Sequence, residues 1–372
     1  MIRMVNSEKI NIYVPDETGR MLKRDAELFE VYRQDGREIN LNRFLSRLIV
    51  GYYNGYKREW SDGTGAIRGI LTPYLQDRDQ RDAAAREIME KVVLPPAPRR
   101  KGPNPLRLSL KPTRETDQIL TEIRSNMSPH AALSQELCRM FMSYCVKPIY
   151  ERERMIFRSR FEFLEEACRE GRCITFALTT HPEAIRHVMP YAVVAGSEEM
   201  FNYLLCQEYD SLRERNEAKS YRLCRIHHPA YDHAGGGLEE RVKTFLEKMR
   251  QTAPQFAIGE DVRTRVYLTA AGRRSFQKIY TFRPVPDRVE ENPEDGSAVY
   301  EFSCSTDQIY RYLLRFNAGE AVVLEPAEVK ERLRNYYLKA LESLVQGGIC
   351  GSAGGGEGFE GETEGPGQTH PG

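Results

Sequence analysis

The apolar positions of this chain recur with two periods, and the places where one gives way to the other mark its elements. In Lys9-Ile10-Asn11-Ile12-Tyr13-Val14 polar and apolar residues alternate, the period of a half-buried strand. Pro15 stops that strand, and Asp16 is expected to cap the helix that follows. Met21, Leu22, Leu28, Phe29 and Tyr32 then share one broad helical face, up to a break at Asp35-Gly36. A second helix begins near Asn40, with Leu41, Phe44, Leu45, Leu48, Ile49 and Tyr52 at helical spacing. The layout then returns. Leu106-Arg107-Leu108-Ser109-Leu110-Lys111 alternates in the same way and is stopped by Pro112. Thr113 can cap a helix holding Ile119, Leu120 and Ile123, and a further helix carries Leu133, Leu137, Met140, Phe141 and Tyr144.

The repetition extends to detail: Pro15, Glu17 and Thr18 match Pro112, Glu115 and Thr116, while Leu41, Leu45 and Arg47 match Leu133, Leu137 and Arg139. This is an internal duplication of a strand-helix-helix unit. One such unit can neither satisfy its strand nor bury its helix faces, whereas two can pair their strands antiparallel and interlock their helices. The pattern resembles the ribbon-helix-helix family, in which two chains normally supply the two copies; here both would form a pseudo-dimer within one chain. The resemblance implies that the outward side chains of the ribbon enter a DNA major groove. Those positions are Lys9, Asn11 and Tyr13 in the first strand and Arg107, Ser109 and Lys111 in the second. It also implies a phosphate contact at the start of the second helix, near Asn40 and Asn42 or Ser134. A structural ribbon with solvated charges is the alternative.

The middle of the chain switches to short strand-like runs: Cys173–Leu178, Met189–Ala195, Met200–Cys206 and Tyr221–Ile226, separated by polar loops. They predict a small antiparallel barrel. The order resembles the WYL domain, an Sm-like barrel, with Asn202-Tyr203-Leu204 at the signature tripeptide and Pro190 before its strand. Tyr221-Arg222-Leu223-Cys224-Arg225-Ile226 stands at the closing motif. By that resemblance, Arg186, Tyr191, Tyr203, Arg222 and Arg225 are the candidates for binding nucleic acid or another anionic ligand. Guanidinium forks suit phosphate and aromatic faces suit unpaired bases. Strict alternation puts Arg222 and Arg225 on opposite faces unless a bulge intervenes.

Between these regions, Ser61-Asp62-Gly63-Thr64-Gly65 reads as a polar break, residues 75–92 as a charged helix, and Pro95–Pro103 as a stiff basic linker. Ile149 to Glu170 reads as one charged connector helix whose Arg152, Arg154, Arg158 and Arg160 are solvated. His227, His228 and His233 before Gly235-Gly236-Gly237 read as a mobile loop rather than a metal site. Leu238–Thr252 is an amphipathic helix, with Val242, Phe245, Leu246 and Met249 inward. Strands at 265–269, 281–289, 299–303 and 321–324, with helices at 270–280 and from Thr306, follow the order β-α-β-β-α-β, which is ferredoxin-like. Val323-Leu324-Glu325-Pro326 before a long helix, Ala327 to Val345, resembles the extension that accompanies WYL domains and implies dimerisation there. Tyr310, Arg311, Tyr312 and Arg315 are interface or ligand candidates. From Gly347 a Gly- and Glu-rich tail is expected to be disordered.

The expected fold class is α+β: a ribbon-helix-helix pseudo-dimer, a WYL barrel and a ferredoxin-like extension. The expected boundaries are 1–146 (units 8–56 and 105–146, linker 61–104), 147–170, 171–252, 263–346 and 347–372. Across 372 residues Lys+Arg and Asp+Glu both number 54, and the last 22 residues carry four Glu and no Lys or Arg, leaving +4 on residues 1–350. A site for a polyanion must therefore be a local patch. Eight scattered cysteines without a C-x-x-C pair, no secretory signal and no apolar run of the roughly 20 residues that a membrane span needs suggest a cytoplasmic protein. No phosphate-loop, nucleophile-elbow or H-E-x-x-H motif is present, so neither catalysis nor a cofactor or metal is expected. The whole pattern is similar to the WYL accessory proteins encoded beside type VI-D CRISPR RNA-guided RNA nucleases. That implies a homodimer that binds single-stranded RNA and acts on a CRISPR effector nuclease. The runner-up is a DNA-binding transcriptional regulator with a ligand-sensing barrel, and a third reading is a module for a protein partner alone.

Overall fold

The computed structural model describes residues 9–33, 36, 38–93, 105–126, 132–196, 200–211, 214–233, 236–251, 254, 263–279 and 283–345. The basic linker at Pro95–Pro103 and the tail from Gly347 lie outside them. The first elements are β1 (Ile10–Val14), α1 (Asp16–Leu28), α2 (Leu41–Leu71) and α3 (Arg78–Ile88), then β2 (Leu106–Leu110), α4 (Arg114–Asn126) and α5 (Leu133–Cys145). Strands β1 and β2 pair antiparallel, with Ile10 opposite Leu110, Ile12 opposite Leu108 and Val14 opposite Leu106. Ile12, Val14, Leu108 and Leu110 are buried, while Asn11, Arg107 and Ser109 stay exposed, as a pleat of period two requires. The helices interlock across the repeat: α5 packs on β1 and α1, and α2 on β2 and α4.

Local chemistry corrects several expectations. Pro15, not Asp16, holds the N-cap position of α1; Asp16 opens the helix and pairs with Arg20 one turn on. The helix ends at Leu28, where Glu30 takes a positive φ of 53° and turns the chain. Helix α2 runs straight through the expected break at 61–65. The Thr64 hydroxyl bonds back to the Trp60 carbonyl at 2.8 Å, so it serves the helix instead of competing with it. Gly63 lies where α2 meets the π-helical turn Met89–Val93: a Cβ there would stand 2.9 Å from Met89 Cε.

The connector is two helices, α6 (Ile149–Ile156) and α7 (Arg158–Glu170), broken at Phe157. Phe157 leaves helical geometry (φ −118°, ψ 35°) to bury its ring edge-on against Phe29, 6.4 Å between centroids. Helix α6 crosses α2 at Gly51, where a Cβ would lie 1.8 Å from the Met155 carbonyl oxygen. Only glycine permits that approach.

The middle region is an antiparallel sheet of β3 (Ile174–Leu178), β4 (His181–Ala195), β5 (Asn202–Asp210), β6 (Arg215–Arg222) and β7 (Ile226–Tyr231), in the order β6-β5-β4-β3-β7. Its edge strands β6 and β7 are joined by only a 3-10 turn, Leu223–Arg225, so the sheet must curl until those edges meet. The stretch 221–226 is thus not one closing strand. The run from His227 to Tyr231 is edge strand β7 and not a loop, with His227 opposite Ala177 and Tyr231 opposite Ile174; Pro229 is tolerated because the strand is an edge.

The C-terminal third holds α8 (Glu240–Gln251), β8 (Arg263–Leu268), α9 (Ala270–Lys278), β9 (Arg288–Glu291), β10 (Ala298–Ser303), α10 (Thr306–Leu313), β11 (Ala321–Glu325) and α11 (Ala327–Val345). The sheet order is β11-β8-β10-β9. Strand β9 starts later than the expected 281, after Pro284 and Pro286, which lack the N–H a ladder needs. Residues 280–282 lie outside the described ones. One hydrophobic core runs from the paired strands through α5 and α7 into the curled sheet, and the C-terminal sheet has a separate core.

Candidate nucleic-acid interface

The outward face of the β1–β2 ribbon carries Asn11 opposite Ser109 and Tyr13 opposite Arg107, flanked by Lys9 and Lys111. Lys9, Asn11, Arg107, Ser109 and Lys111 are exposed, Tyr13 is half-buried, and no acidic residue stands among them. The expected phosphate contact at the start of α2 is occupied differently. Asn40 accepts from the Arg43 amide at 3.0 Å as the helix cap. The Asn42 amide clamps Lys111, accepting from its N–H at 2.7 Å and donating to its carbonyl at 3.2 Å. Ser134 is half-buried in the first turn of α5.

The barrel candidates fall in three places, each engaged within the chain. Arg186 donates to Glu208 at 3.1 Å, and the Tyr221 hydroxyl donates to the same carboxylate. Tyr191 sits at the bulge in the β4–β5 pairing and donates to Glu247 of α8 at 2.6 Å. Tyr203, Arg222 and Arg225 gather near the end of α1. Tyr203 is 6 % exposed. Arg222 lies 3.4 Å over the Phe201 ring and donates to the Leu28 carbonyl at 2.6 Å. Arg225, freed from strand alternation by the 3-10 turn, donates to Glu30 at 2.8 Å.

This is one side of the junction between the N-terminal unit and the curled sheet, and the charges named here each have a partner. Arg152, expected to be solvated, is buried and meets both oxygens of Asp25, at 2.8 and 3.1 Å. Burial pushes the Asp25 carboxyl up, opposed by Arg152 and by the Tyr144 hydroxyl that donates to it at 2.8 Å. Glu153 is wholly buried, and burial raises it too, against hydrogen bonds from the Asn202 amide and side chain at 2.7 and 2.8 Å and from the Cys224 amide at 3.2 Å. Asn202, at the first position of the tripeptide, also accepts from Arg154 and donates to the Tyr150 carbonyl, each at 2.8 Å. It fastens β5 to α6.

Beyond Phe157 the same junction gathers cations that form no ion pair among the described residues. Arg47 and Arg160 both lie against the Phe157 ring, their Cζ atoms 5.1 and 4.6 Å from its centre. Arg160, another expected solvated residue, donates through one nitrogen to the Leu223 and Cys224 carbonyls at 2.8 and 3.0 Å. Burial, with Arg43 and Arg160 beside it, pushes Arg47 down to about 10, and burial likewise pushes Arg160 down to about 10. Burial and then Arg160, Arg47, His228 and Arg43 push His227 down to about 4. A signal for this group existed: from Leu41 to Arg58, α2 carries Arg43, Arg47, Lys57 and Arg58 and no Asp or Glu.

Of the candidates in the extension, Tyr312 is a core residue against Phe276 and Phe316. Arg311 pairs with Asp307, Arg315 donates to the Arg311 carbonyl, and Arg332 covers Tyr310. Exposed apolar side chains of this region include Tyr336, Tyr337, Leu338, Leu341 and Leu344 on α11, with Val322 and Leu324 on β11. Among the described residues no helix is long and apolar enough to cross a membrane.

Residues 260–341, from β8 through most of α11, match the WCX domain family. No curated protein sequence matches the chain. Among solved structures, one described as a CRISPR Cas-related protein is similar in fold, with a TM-score of 0.65 at 18 % identity over 93 % of this chain and 97 % of that one. Proteasome accessory factor B/C (PafBC) of Arthrobacter aurescens matches 62 % of this chain and 35 % of its own at 17 % identity, with a TM-score of 0.30 too low to carry an argument. The C-terminal segment thus matches the WCX domain, within a fold similar over almost the whole chain to that of a CRISPR Cas-related protein.

Proposed function

We propose that this protein is a non-enzymatic regulator that binds nucleic acid, that its preferred partner is single-stranded RNA, and that it serves a CRISPR RNA-guided nuclease. The observation that carries nucleic-acid binding is the ribbon face: Lys9, Arg107 and Lys111 exposed beside Asn11 and Ser109, with no carboxylate among them. The whole-length likeness in fold to a CRISPR Cas-related protein supports the setting. We read the two N-terminal units as a ribbon-helix-helix pseudo-dimer, the curled sheet as the Sm-like WYL barrel and the C-terminal sheet as ferredoxin-like. The exposed apolar face of α11 supports a homodimer through the extension. Arg186, Tyr191, Tyr203, Arg222 and Arg225 act in this reading chiefly by holding the barrel in place, because each has its partner within the chain.

The second reading, recognition of duplex DNA, is favoured by the same ribbon, since an antiparallel ribbon with outward polar side chains fits a major groove. Competition between labelled single-stranded RNA and duplex DNA separates the two. Preference for the single strand supports the first reading, and tighter duplex binding moves the assignment to the second. In the Lys9→Ala, Arg107→Ala, Lys111→Ala triple variant, single-strand affinity is expected to fall and its log-log salt slope to drop by about 2, at roughly 0.7 per phosphate contact. An unchanged slope would remove the ribbon from the interface.

A further inference from the structure

Arg43, Arg47, Arg160 and His227 come from three elements, α2, α7 and β7, and lie close enough to act on one another's charge, with Arg47 and Arg160 against the Phe157 ring. Folding gathers the three arginines although they repel one another. Among the described residues neither Arg43 nor Arg47 has a carboxylate partner or a side-chain hydrogen bond. Arg160 is held by two carbonyls through a single nitrogen, which leaves its other donors unused; these are not among the polar atoms sealed from solvent. The Glu153 carboxylate, which acts on Arg160, is itself held by hydrogen bonds from Asn202 and Cys224. Half-buried cations without a carboxylate partner carry a desolvation cost that an aromatic face offsets only in part, and an anion from outside would relieve it further.

We propose that this group is the seat of one phosphodiester of a bound single strand, with Arg47 and Arg160 as the fork, His227 as a third donor and Arg43 at the entrance. The proposal rests on the nucleic-acid reading above and names where the strand passes between the N-terminal unit and the barrel. Arg47, Arg160 and His227 are half-buried, so the anion must reach inward. A flexible strand can turn a phosphate into such a recess, whereas the backbone of a stiff duplex cannot.

The test uses the full chain with two substitutions, Arg43→Gln and Arg47→Gln, separately and together. The probes are a labelled oligouridine, read by anisotropy, and inorganic phosphate, read at the His227 imidazole by NMR. The expected result is a loss of roughly tenfold in oligouridine affinity per arginine, the weight of one charge-assisted hydrogen bond, and a fall of about 0.7 in salt slope for the double variant. Phosphate should shift the His227 resonances saturably in the wild type and much less in the double variant. Both substitutions should raise the denaturation midpoint, since each removes a repelling charge; a residue of merely structural value would lower it. Arg43 is exposed, so its variant keeps the test valid if Arg47→Gln disturbs packing. Unchanged oligouridine affinity and slope in folded variants overturns the seat while leaving nucleic-acid binding intact. If the wild type binds no nucleic acid yet phosphate saturates at His227, the seat stands and the strand reading falls. If neither probe binds, both fall.

Discussion

Two sides of one junction join the N-terminal unit to the curled sheet, and they treat charge in opposite ways. On the first, each ion has a fitted partner: Arg152 with Asp25, Glu153 with two backbone amides and the Asn202 side chain, Arg222 with the Leu28 carbonyl, Arg225 with Glu30. On the second, beyond Phe157, Arg43, Arg47, Arg160 and His227 share a neighbourhood in which none of them has a carboxylate partner among the described residues. Hydrophobicity does not distinguish them, since both border the same continuous core. A fully compensated set of charges is explained by the fold alone, whereas cations gathered without a carboxylate partner leave room for an anion from outside the chain. The barrel arginines that resemble ligand residues by motif are therefore the weaker candidates by environment.

The strongest way to break the comparison is to remove a partner on the compensated side. Arg152→Ala leaves Asp25 buried without its cation and is expected to cost about 3–5 kcal/mol in urea unfolding. A loss under about 1 kcal/mol would show that the pair contributes little. Next, Gly51→Ala forces a methyl onto the Met155 carbonyl and pushes α2 from α6. A destabilisation of about 1–3 kcal/mol is expected, with weakened strand binding, because α2 carries Arg43 and Arg47.

Proton linkage sharpens the other side. His227 faces Arg43 and Arg47 from α2, Arg160 from α7 and His228 from its own strand, while β3 places Ala177 opposite. Its folded value of about 4 lies below the ordinary 6.5, so the unfolded chain binds the proton first as pH falls. This group's contribution to stability is therefore full above about 6.5 and lost as pH falls toward 4. A seated phosphate favours the imidazolium, so strand affinity should rise over that window. His227→Gln should flatten the rise, and a pH profile identical to wild type would contradict the assignment. The smallest effect belongs to Arg225→Ala. Its pair with Glu30 is 45 % exposed on the arginine side. About 0.2–1 kcal/mol of stability should be lost, with strand affinity within about twofold.

Much of the architecture could be read from the chain because it follows from local period. Ile10, Ile12 and Val14 against Leu106, Leu108 and Leu110 announce a ribbon, and the register pairs them. Val323-Leu324-Glu325-Pro326 stands where β11 gives way to α11, in the segment matched by the WCX family. Tertiary contacts hid the rest. Gly63 and Thr64 look like a turn until Met89 packs on the glycine. Phe157 has nothing locally to break a helix; its burial against Phe29 does so. Arg152 and Arg160 alternate with acids in the sequence and read as solvated, yet their partners lie at Asp25 and at the Leu223 and Cys224 carbonyls. The site was least legible for the same reason: which cation lacks a partner is a property of three elements at once.

The most direct test of the whole account is a titration of labelled single-stranded RNA against the purified chain at several salt concentrations. The account predicts binding that weakens steeply with salt, with a log-log slope equivalent to several phosphate contacts at roughly 0.7 each. Absence of binding, or affinity indifferent to salt, would contradict it and leave the exposed surfaces of this chain to protein partners.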